Sequence, residues 1–154
     1  MISRRQILRS GLAATSIPLL ASLPLVSAAA AADPSAVRIL AHPSLFRVIF
    51  DQRFAASRHF GTEARFRGHA VSGFNGDITN VWFNELRPRW KEGPAAIAGV
   101  TAHGALFCLE RLAWDAGMRV IESAELPSDT HEPLYSWVIS KLSGQPRSLQ
   151  AATA

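Results

Sequence analysis

The chain has 154 residues, of which 48% are hydrophobic and 18% are charged. This length has room for one globular domain, and this composition excludes an intrinsically disordered chain. The formal net charge of +4 suggests a nucleic-acid partner, but Arg4, Arg5 and Arg9 lie in an N-terminal segment that we expect to be removed. Without them, thirteen basic residues face twelve acidic ones and no basic block remains, so we predict no nucleic-acid binding.

Residues 1–32 have the three-part pattern of a secretory signal. A short basic start leads into an apolar run from Leu12 to Val26, and small residues follow as far as Ala32. Two prolines interrupt the apolar run, which is shorter than the roughly 20 residues that a membrane-spanning helix needs. We therefore predict a cleaved signal segment, with Ala32 as the preferred cleavage position, and no permanent membrane anchor.

The basic start resembles the twin-arginine (Tat) signal of bacteria, whose pattern is Ser/Thr-Arg-Arg-x-Phe-Leu-Lys. The residues that match this pattern are Ser3, Arg4, Arg5 and Leu8, while Ile7 stands for the usual Phe and Arg9 for the usual Lys. The resemblance implies that the Tat translocase exports the folded protein to the periplasm or the exterior, often with a cofactor or a partner. An ordinary secretory leader that contains two arginines is the alternative.

Strand-like and helix-like segments alternate along the mature chain. Predicted strands are Leu45 to Phe50, His69 to Phe74, an apolar run around Ile97 to Val100, Met118 to Ile121, and Leu134 to Ser140. Predicted helices are 52–66, 78–90 and 105–116. We expect Pro88 to distort the last turn of the second helix and Gly117 to be the C-cap of the third. Residues 33–35 are predicted as a linker, 37–41 as an edge or irregular run, and 122–132 as a polar loop.

This alternation predicts an α/β fold. We expect a small three-layer sandwich with a mostly parallel sheet of four to five strands, similar to Rossmann-like or flavodoxin-like folds. The first core strand should lie beside the third, the third should have parallel neighbours, and the strand from Leu134 should lie on an edge. Residues 33–142 then form one domain, and residues 143–154 form a flexible tail with little to bury.

Ligands of an open parallel sheet bind at the carboxyl ends of the strands, where the strand order reverses. Asp51 and His103 follow the first and third core strands, so they are the candidate catalytic pair if the protein is an enzyme. A carboxylate near an imidazole orients it and raises its pKa, as a general acid or base requires. The alternative is that Asp51 caps the following helix and His103 hydrogen-bonds a turn.

The same edge carries a candidate site for a small anionic or polar ligand. Thr101, His103 and Gly104 open a helix, whose free N–H groups and dipole favour an anion, and Arg53 adds a charged contact. No Gly-rich loop follows the first core strand, which disfavours a nicotinamide or flavin dinucleotide. We predict no cofactor.

Neither the cysteine nor the histidines form a recognisable reactive motif. Cys108 is the single cysteine, and its apolar helix predicts a buried, inert thiol. The five histidines show none of the spacings of metal-binding helices or turns, so we predict no metal site.

Aromatic residues are numerous for so small a domain. Phe107 and Trp114 lie seven residues apart on one side of a helix whose main apolar stripe is elsewhere. This second apolar side indicates either additional core packing or an interface with a partner protein.

Two functional hypotheses remain open. The first is an exported accessory or binding module without catalytic activity, for a partner protein or a small polar ligand. The second is a small periplasmic hydrolase or isomerase that uses Asp51 and His103. The geometry at the strand ends should distinguish them.

Overall fold

The computed structural model describes residues 32–128 and 130–142. The predicted signal segment before residue 32 and the predicted tail, 143–154, therefore lie outside the described residues. In chain order the elements are α1 (Pro34–Arg38), a 3-10 turn (Ile39–Ala41), β1 (Arg47–Asp51), α2 (Ala55–Phe66), β2 (Val71–Phe74), α3 (Thr79–Val81), a π-helical segment (Trp82–Leu86), α4 (Arg87–Lys91), β3 (Ile97–Ala102), α5 (His103–Asp115), β4 (Met118–Leu126) and β5 (Leu134–Lys141). No described helix is both long and apolar enough to span a membrane.

The five strands form one mixed sheet in the order β2-β1-β3-β5-β4. β1 pairs in parallel with β2 and β3, whereas β5 runs antiparallel to both β3 and β4. The α/β class, the five strands and the contact between the first and third core strands are confirmed. The sheet is only half parallel, so the expectation that β3 has parallel neighbours on both sides is wrong on the β5 side.

The connection between β4 and β5 explains the antiparallel half of the sheet. A parallel neighbour needs a crossover of about a dozen residues or more. Residues 127–133 are too few for such a crossover, so the chain returns antiparallel. β5 lies between β3 and β4 in the sheet. The two strands of the β3-α5-β4 unit are therefore not adjacent, because β5 separates them.

The edge strands of the sheet are β2 and β4, whereas β5, which the sequence pattern placed on an edge, lies between β3 and β4. β4 also extends to Leu126, through residues that were predicted to form a polar loop. Between its buried ends, Met118 and Leu126, the side chains of β4 alternate between exposed and half-buried, because one face of the strand packs on the rest of the molecule and the other faces water. A register shift between Val120 and Glu122 leaves Ile121 43% exposed. Such an irregularity, together with charged side chains, protects an edge from pairing with another strand.

The strands bury side chains in two hydrophobic clusters. Val48 and Phe50 of β1 join the cluster to which α1 and α2 contribute, whereas Ile49 joins the cluster that contains Leu109 of α5. This alternation follows from the two-residue period of a strand. In β3, a Cβ atom at Gly99 would lie 2.5 Å from the Trp137 ring and 2.6 Å from the Ile49 carbonyl oxygen. Glycine is therefore what allows Trp137 to pack directly against the central strand.

Two local irregularities have clear causes in the sequence. The predicted distortion at Pro88 is present, because the five residues that precede α4 are π-helical and the N–H of Arg87 donates to the Trp82 carbonyl. Proline cannot donate the next hydrogen bond, so the preceding turn is widened. The prediction of a linker before an irregular run was wrong, since Asp33 accepts a hydrogen bond from the Ser35 N–H (2.8 Å) and caps α1.

Candidate functional site

The carboxyl ends of three strands lie at one edge of the sheet, because β1, β2 and β3 are parallel. Asp51 ends β1, Thr101 is the penultimate residue of β3, and the segment that begins at Asn75 follows β2. The start of β5 lies at the same edge, because Leu134 pairs with Ala102 at the end of β3. This edge therefore contains every residue of the predicted catalytic and ligand sites.

Asp51 is buried and held by its neighbour Arg53. The Arg53 guanidinium donates from Nε to both carboxylate oxygens (3.1 Å each) and from Nη2 to Oδ2 (2.7 Å), and the backbone N–H of Arg53 donates to Oδ1 (3.1 Å). Asp51 is 0% exposed, whereas the Arg53 side chain is 40% exposed. Hydrogen bonding to this carboxylate raises the pKa of Arg53 above its usual value. The carboxylate is thus neutralised within its own turn.

Ser57 of α2 links the Asp51 turn to β3 through two hydrogen bonds of its hydroxyl group. Its hydroxyl oxygen accepts from the Asp51 N–H (2.8 Å), and its O–H donates to the Val100 carbonyl (2.5 Å). All of these atoms are buried, where an unmade hydrogen bond is costly. We refer to Asp51, Arg53 and Ser57 as the edge network. Its hydrogen bonds stabilise the start of α2 against the sheet.

The predicted rim residues of β3 and α5 divide between buried and exposed positions. Thr101 is buried and its hydroxyl accepts a hydrogen bond from Nε1 of Trp137 (3.0 Å). His103 and Gly104 form the first turn of α5 and are exposed. The His103 ring stacks on Phe107 (centroids 6.2 Å apart) and meets Tyr135 edge-on (5.9 Å). Among the described residues no hydrogen bond or ion pair joins His103 to Asp51.

A cleft of ≈ 220 Å³ opens at this edge beside the start of α2. Its lining residues are Arg53, Phe54, Ala55, Ala56, Arg58, Ser128, Thr130 and Leu134. Of the predicted ligand-site residues it includes Arg53 alone, so it does not bring Thr101, His103 or Gly104 to the same ligand. Arg53 also lies 3.8 Å from Glu132, and Arg58 donates to the Gln52 carbonyl (2.6 Å). Both cations are therefore already engaged.

A different arrangement of aromatic rings and cations covers the outer side of α5. Phe107 is 52% exposed and Trp114 is 43% exposed. The guanidinium groups of Arg111 and Arg119 lie 4.4 Å and 5.3 Å from the Trp114 ring centroid. No carboxylate of the described chain lies within 4.0 Å of either arginine. We call Phe107, Arg111, Trp114 and Arg119 the α5 patch.

A groove of ≈ 330 Å³ separates α5 from the helical run before it. Its lining residues are Trp82, Arg87, Trp90, Lys91, Leu112, Asp115 and Ala116. The groove adjoins the C-terminal ends of α4 and α5, and these helices precede β3 and β4. It therefore lies near the amino ends of those strands, opposite to the carboxyl ends where the Asp51 turn is found. The sequence patterns did not predict this set of residues as a site. The available signals were two tryptophans eight residues apart on one predicted helix, and two cations at Arg87 and Lys91, four residues apart.

Cys108 is exposed, so the prediction of a buried thiol was wrong. Its neighbour Leu109 is buried, and successive residues of a helix point about 100° apart. The side of α5 that carries Cys108 consequently points away from the sheet. Within the described ranges no three His, Cys, Asp or Glu side chains are grouped so that they could hold a metal ion.

No known family model matches the chain, and no curated protein or solved structure shows significant similarity to it.

Proposed function

We propose that the protein is an exported, non-catalytic binding module that recognises a partner protein through the α5 patch. The observation that supports this proposal is the exposure of Phe107 and Trp114 beside two arginines without nearby carboxylates. Aromatic residues and arginine are the residue types that most often dominate the binding energy of protein interfaces. Burying these rings under a partner would remove apolar surface from water and give the two guanidinium groups an anionic counterpart.

The enzyme hypothesis has weaker support in the geometry. A general base must lie within hydrogen-bonding reach of its orienting group or of a substrate proton. Asp51 is enclosed by Arg53, and His103 contacts Phe107 and Tyr135 instead. The small-ligand version of the binding hypothesis is disfavoured for a similar reason, since the Arg53 charge is offset by Asp51 and Glu132.

Export remains a proposal that rests on the leader sequence. Replacing Arg4 and Arg5 with lysines should leave the precursor in the cytoplasm if the Tat translocase carries it. The measurement is the partition of the protein between cytoplasmic and periplasmic fractions of a bacterial host. Undiminished export of the double variant would contradict the Tat assignment, although a general secretory route would still be open.

A three-layer, flavodoxin-like classification is also proposed. It is supported by the strand order β2-β1-β3 and by the two hydrophobic clusters into which alternate strand residues pack. The antiparallel pairing of β5 is a departure from that fold type.

Photocrosslinking in living cells tests the partner-binding proposal. A photoreactive phenylalanine analogue replaces Phe107 or Trp114 in the full chain, and Phe66 in a control, because Phe66 is equally apolar and 88% exposed but lies on α2. We expect both α5 positions to crosslink to the same protein and the Phe66 position not to do so. The proposal would be abandoned if neither α5 position formed a crosslinked product, or if Phe66 gave the same one.

A further inference from the structure

The groove between α4 and α5 combines an apolar floor with a positively charged wall. Trp82 and Trp90 meet edge-on (centroids 5.6 Å apart, 68° between planes) on one side, and Leu112 and Ala116 lie one helical turn apart on the other. Its volume of ≈ 330 Å³ is at the lower end of the range of binding pockets. It can therefore accept the apolar side chains of a ligand but is too small to enclose a large one.

The charges at the rim of the groove are predominantly positive. Arg87 and Lys91 stand four residues apart on α4, and neither has a carboxylate of the described ranges within 4.0 Å. Asp115 is the acidic residue among those that line the groove. The spacing of Arg87 and Lys91 places both side chains on one side of α4, about 6 Å apart, which matches two acidic residues four positions apart on another helix.

We propose that this groove binds an acidic amphipathic helix of a partner protein. Its apolar side chains, at positions i, i+3 or i+4, and i+7, pack on the tryptophans and on Leu112, and its acidic residues contact Arg87 and Lys91. An extended segment is disfavoured because both walls are helices, whose backbone groups are already hydrogen-bonded and cannot pair with a strand.

This inference deepens the proposed binding function and uses a second surface. On α5 the groove residues Leu112, Asp115 and Ala116 lie on a different side from Phe107 and Trp114, since each residue advances the helix by about 100°. The two surfaces can therefore be inactivated separately. Cys108 is exposed and lies one turn before Leu112, so it offers a labelling position beside the groove that requires no other change to the chain.

The test uses a pair of synthetic amphipathic helical peptides with the same leucine pattern, one with glutamate and the other with lysine at every polar position. The full chain carries an environment-sensitive fluorophore on Cys108, and calorimetry with the unlabelled chain provides a second measurement of affinity. We expect the glutamate peptide to bind and the lysine peptide to bind at least about tenfold more weakly, because like charges across an interface are unfavourable.

Charge variants decide whether binding occurs in the groove. The double variant Arg87→Glu/Lys91→Glu should weaken binding of the glutamate peptide by about tenfold or more, whereas Asp115→Asn should strengthen it by about two- to threefold. One variant is expected to weaken binding and the other to strengthen it. General damage to the fold would not produce both results. The control, Arg65→Glu/Arg67→Glu at the C-terminal end of α2, changes the net charge by the same amount and should leave the affinity unchanged.

The inference is wrong if the glutamate peptide binds the double charge variant as tightly as the original chain, or does not bind at all. It is equally wrong if the chain binds anionic phosphatidylglycerol vesicles or a single-stranded oligonucleotide but not the glutamate peptide. Neither result affects the α5 patch, whose photocrosslinks depend on Phe107 and Trp114. Conversely, loss of those crosslinks with peptide binding intact would remove the patch and keep the groove.

Discussion

Two regions of this molecule place an arginine over an aromatic ring, but the arginines differ in their partners. Arg53 lies 4.9 Å from the Phe54 ring centroid and donates to the buried carboxylate of Asp51. Arg111 lies 4.4 Å from the Trp114 ring centroid, and no described carboxylate is close enough to pair with it. The rings differ as well, because Phe54 is buried and Trp114 is substantially exposed.

The difference separates residues that hold the fold together from residues that remain available to another molecule. In the edge network each buried hydrogen-bonding group has a partner, and its removal leaves a polar group unsatisfied. In the α5 patch the rings and cations already contact water, so their removal leaves nothing buried and unpaired. Mutations should therefore change stability at the first region and partner binding at the second.

The largest effect on stability should come from Trp137, which packs against Gly99 of the central strand and donates to Thr101. Trp137→Ala removes a fully buried ring and leaves the Thr101 hydroxyl without its donor, so we expect a loss of about 3–5 kcal/mol in the free energy of unfolding. Urea unfolding followed by circular dichroism measures it. A loss below about 1 kcal/mol would show that the centre of the sheet can collapse around the cavity.

Asp51→Ala should have the next largest effect. It removes the acceptor of four hydrogen bonds from Arg53, but the 40% exposed guanidinium can turn into water, so we expect a loss of about 2–3 kcal/mol and not more. The same unfolding measurement applies, with Arg58→Ala as the control because Arg58 is exposed. Equal stability of Asp51→Ala and the original chain would remove the structural role that we assign to this carboxylate.

Trp114→Ala should change the free energy of unfolding by only about 0.5 kcal/mol, although it deletes a tryptophan. Its ring is 43% exposed and contributes cation–π contacts at the surface, which are weak in water. The variant should nevertheless lose the partner that the photocrosslinking identifies. A destabilisation close to that of Trp137→Ala would mean that the α5 patch belongs to the core.

The smallest effect should be the acid sensitivity of the turn before α3. Hydrogen bonds from Thr79 hold the pKa of Asp77 below its usual value of 3.8. A lowered pKa in the folded state means that the ionised carboxylate stabilises the fold above that value, and that this stabilisation disappears as the pH falls through the folded-state pKa.

Thermal unfolding of the original chain and of Asp77→Asn, compared between about pH 6 and pH 2, measures this contribution. Asparagine accepts the same hydrogen bond without titrating, so the original chain should lose slightly more stability on acidification than the variant. Parallel curves across the whole range would contradict a role for the charged carboxylate.

Much of the fold followed from short-range patterns. Gly117 adopts a positive φ of 69° directly after α5, as a glycine that ends a helix commonly does. Pro88 distorts the turn before it, and the apolar run around Ile97 forms a strand. Each of these features depends on residues within about one helical turn, so the sequence alone was sufficient to predict them.

The candidate sites were less predictable because they depend on residues that are distant in the sequence. The sequence indicated correctly that Asp51 and Thr101 lie at the carboxyl ends of neighbouring strands, but it placed Thr101 at the start of a helix, and it did not indicate that Arg53 would bind the Asp51 carboxylate. It also showed a second apolar side on α5, at Phe107 and Trp114, without showing whether that side is buried or exposed. In the structure the main stripe packs in the core, where Leu109 shares a hydrophobic cluster with Trp137 and Met118, and the second side is exposed.

By itself, the sequence determined the order and type of most elements, the α/β class and the basic, apolar leader that resembles an export signal. The tertiary structure decided where β5 lies in the sheet, which side of α5 is exposed and which arginines have a carboxylate partner. The physical reason is the range of the interactions. Backbone propensity and side-chain periodicity act between near neighbours, whereas strand order, burial and charge pairing arise only when segments far apart in the chain are packed together.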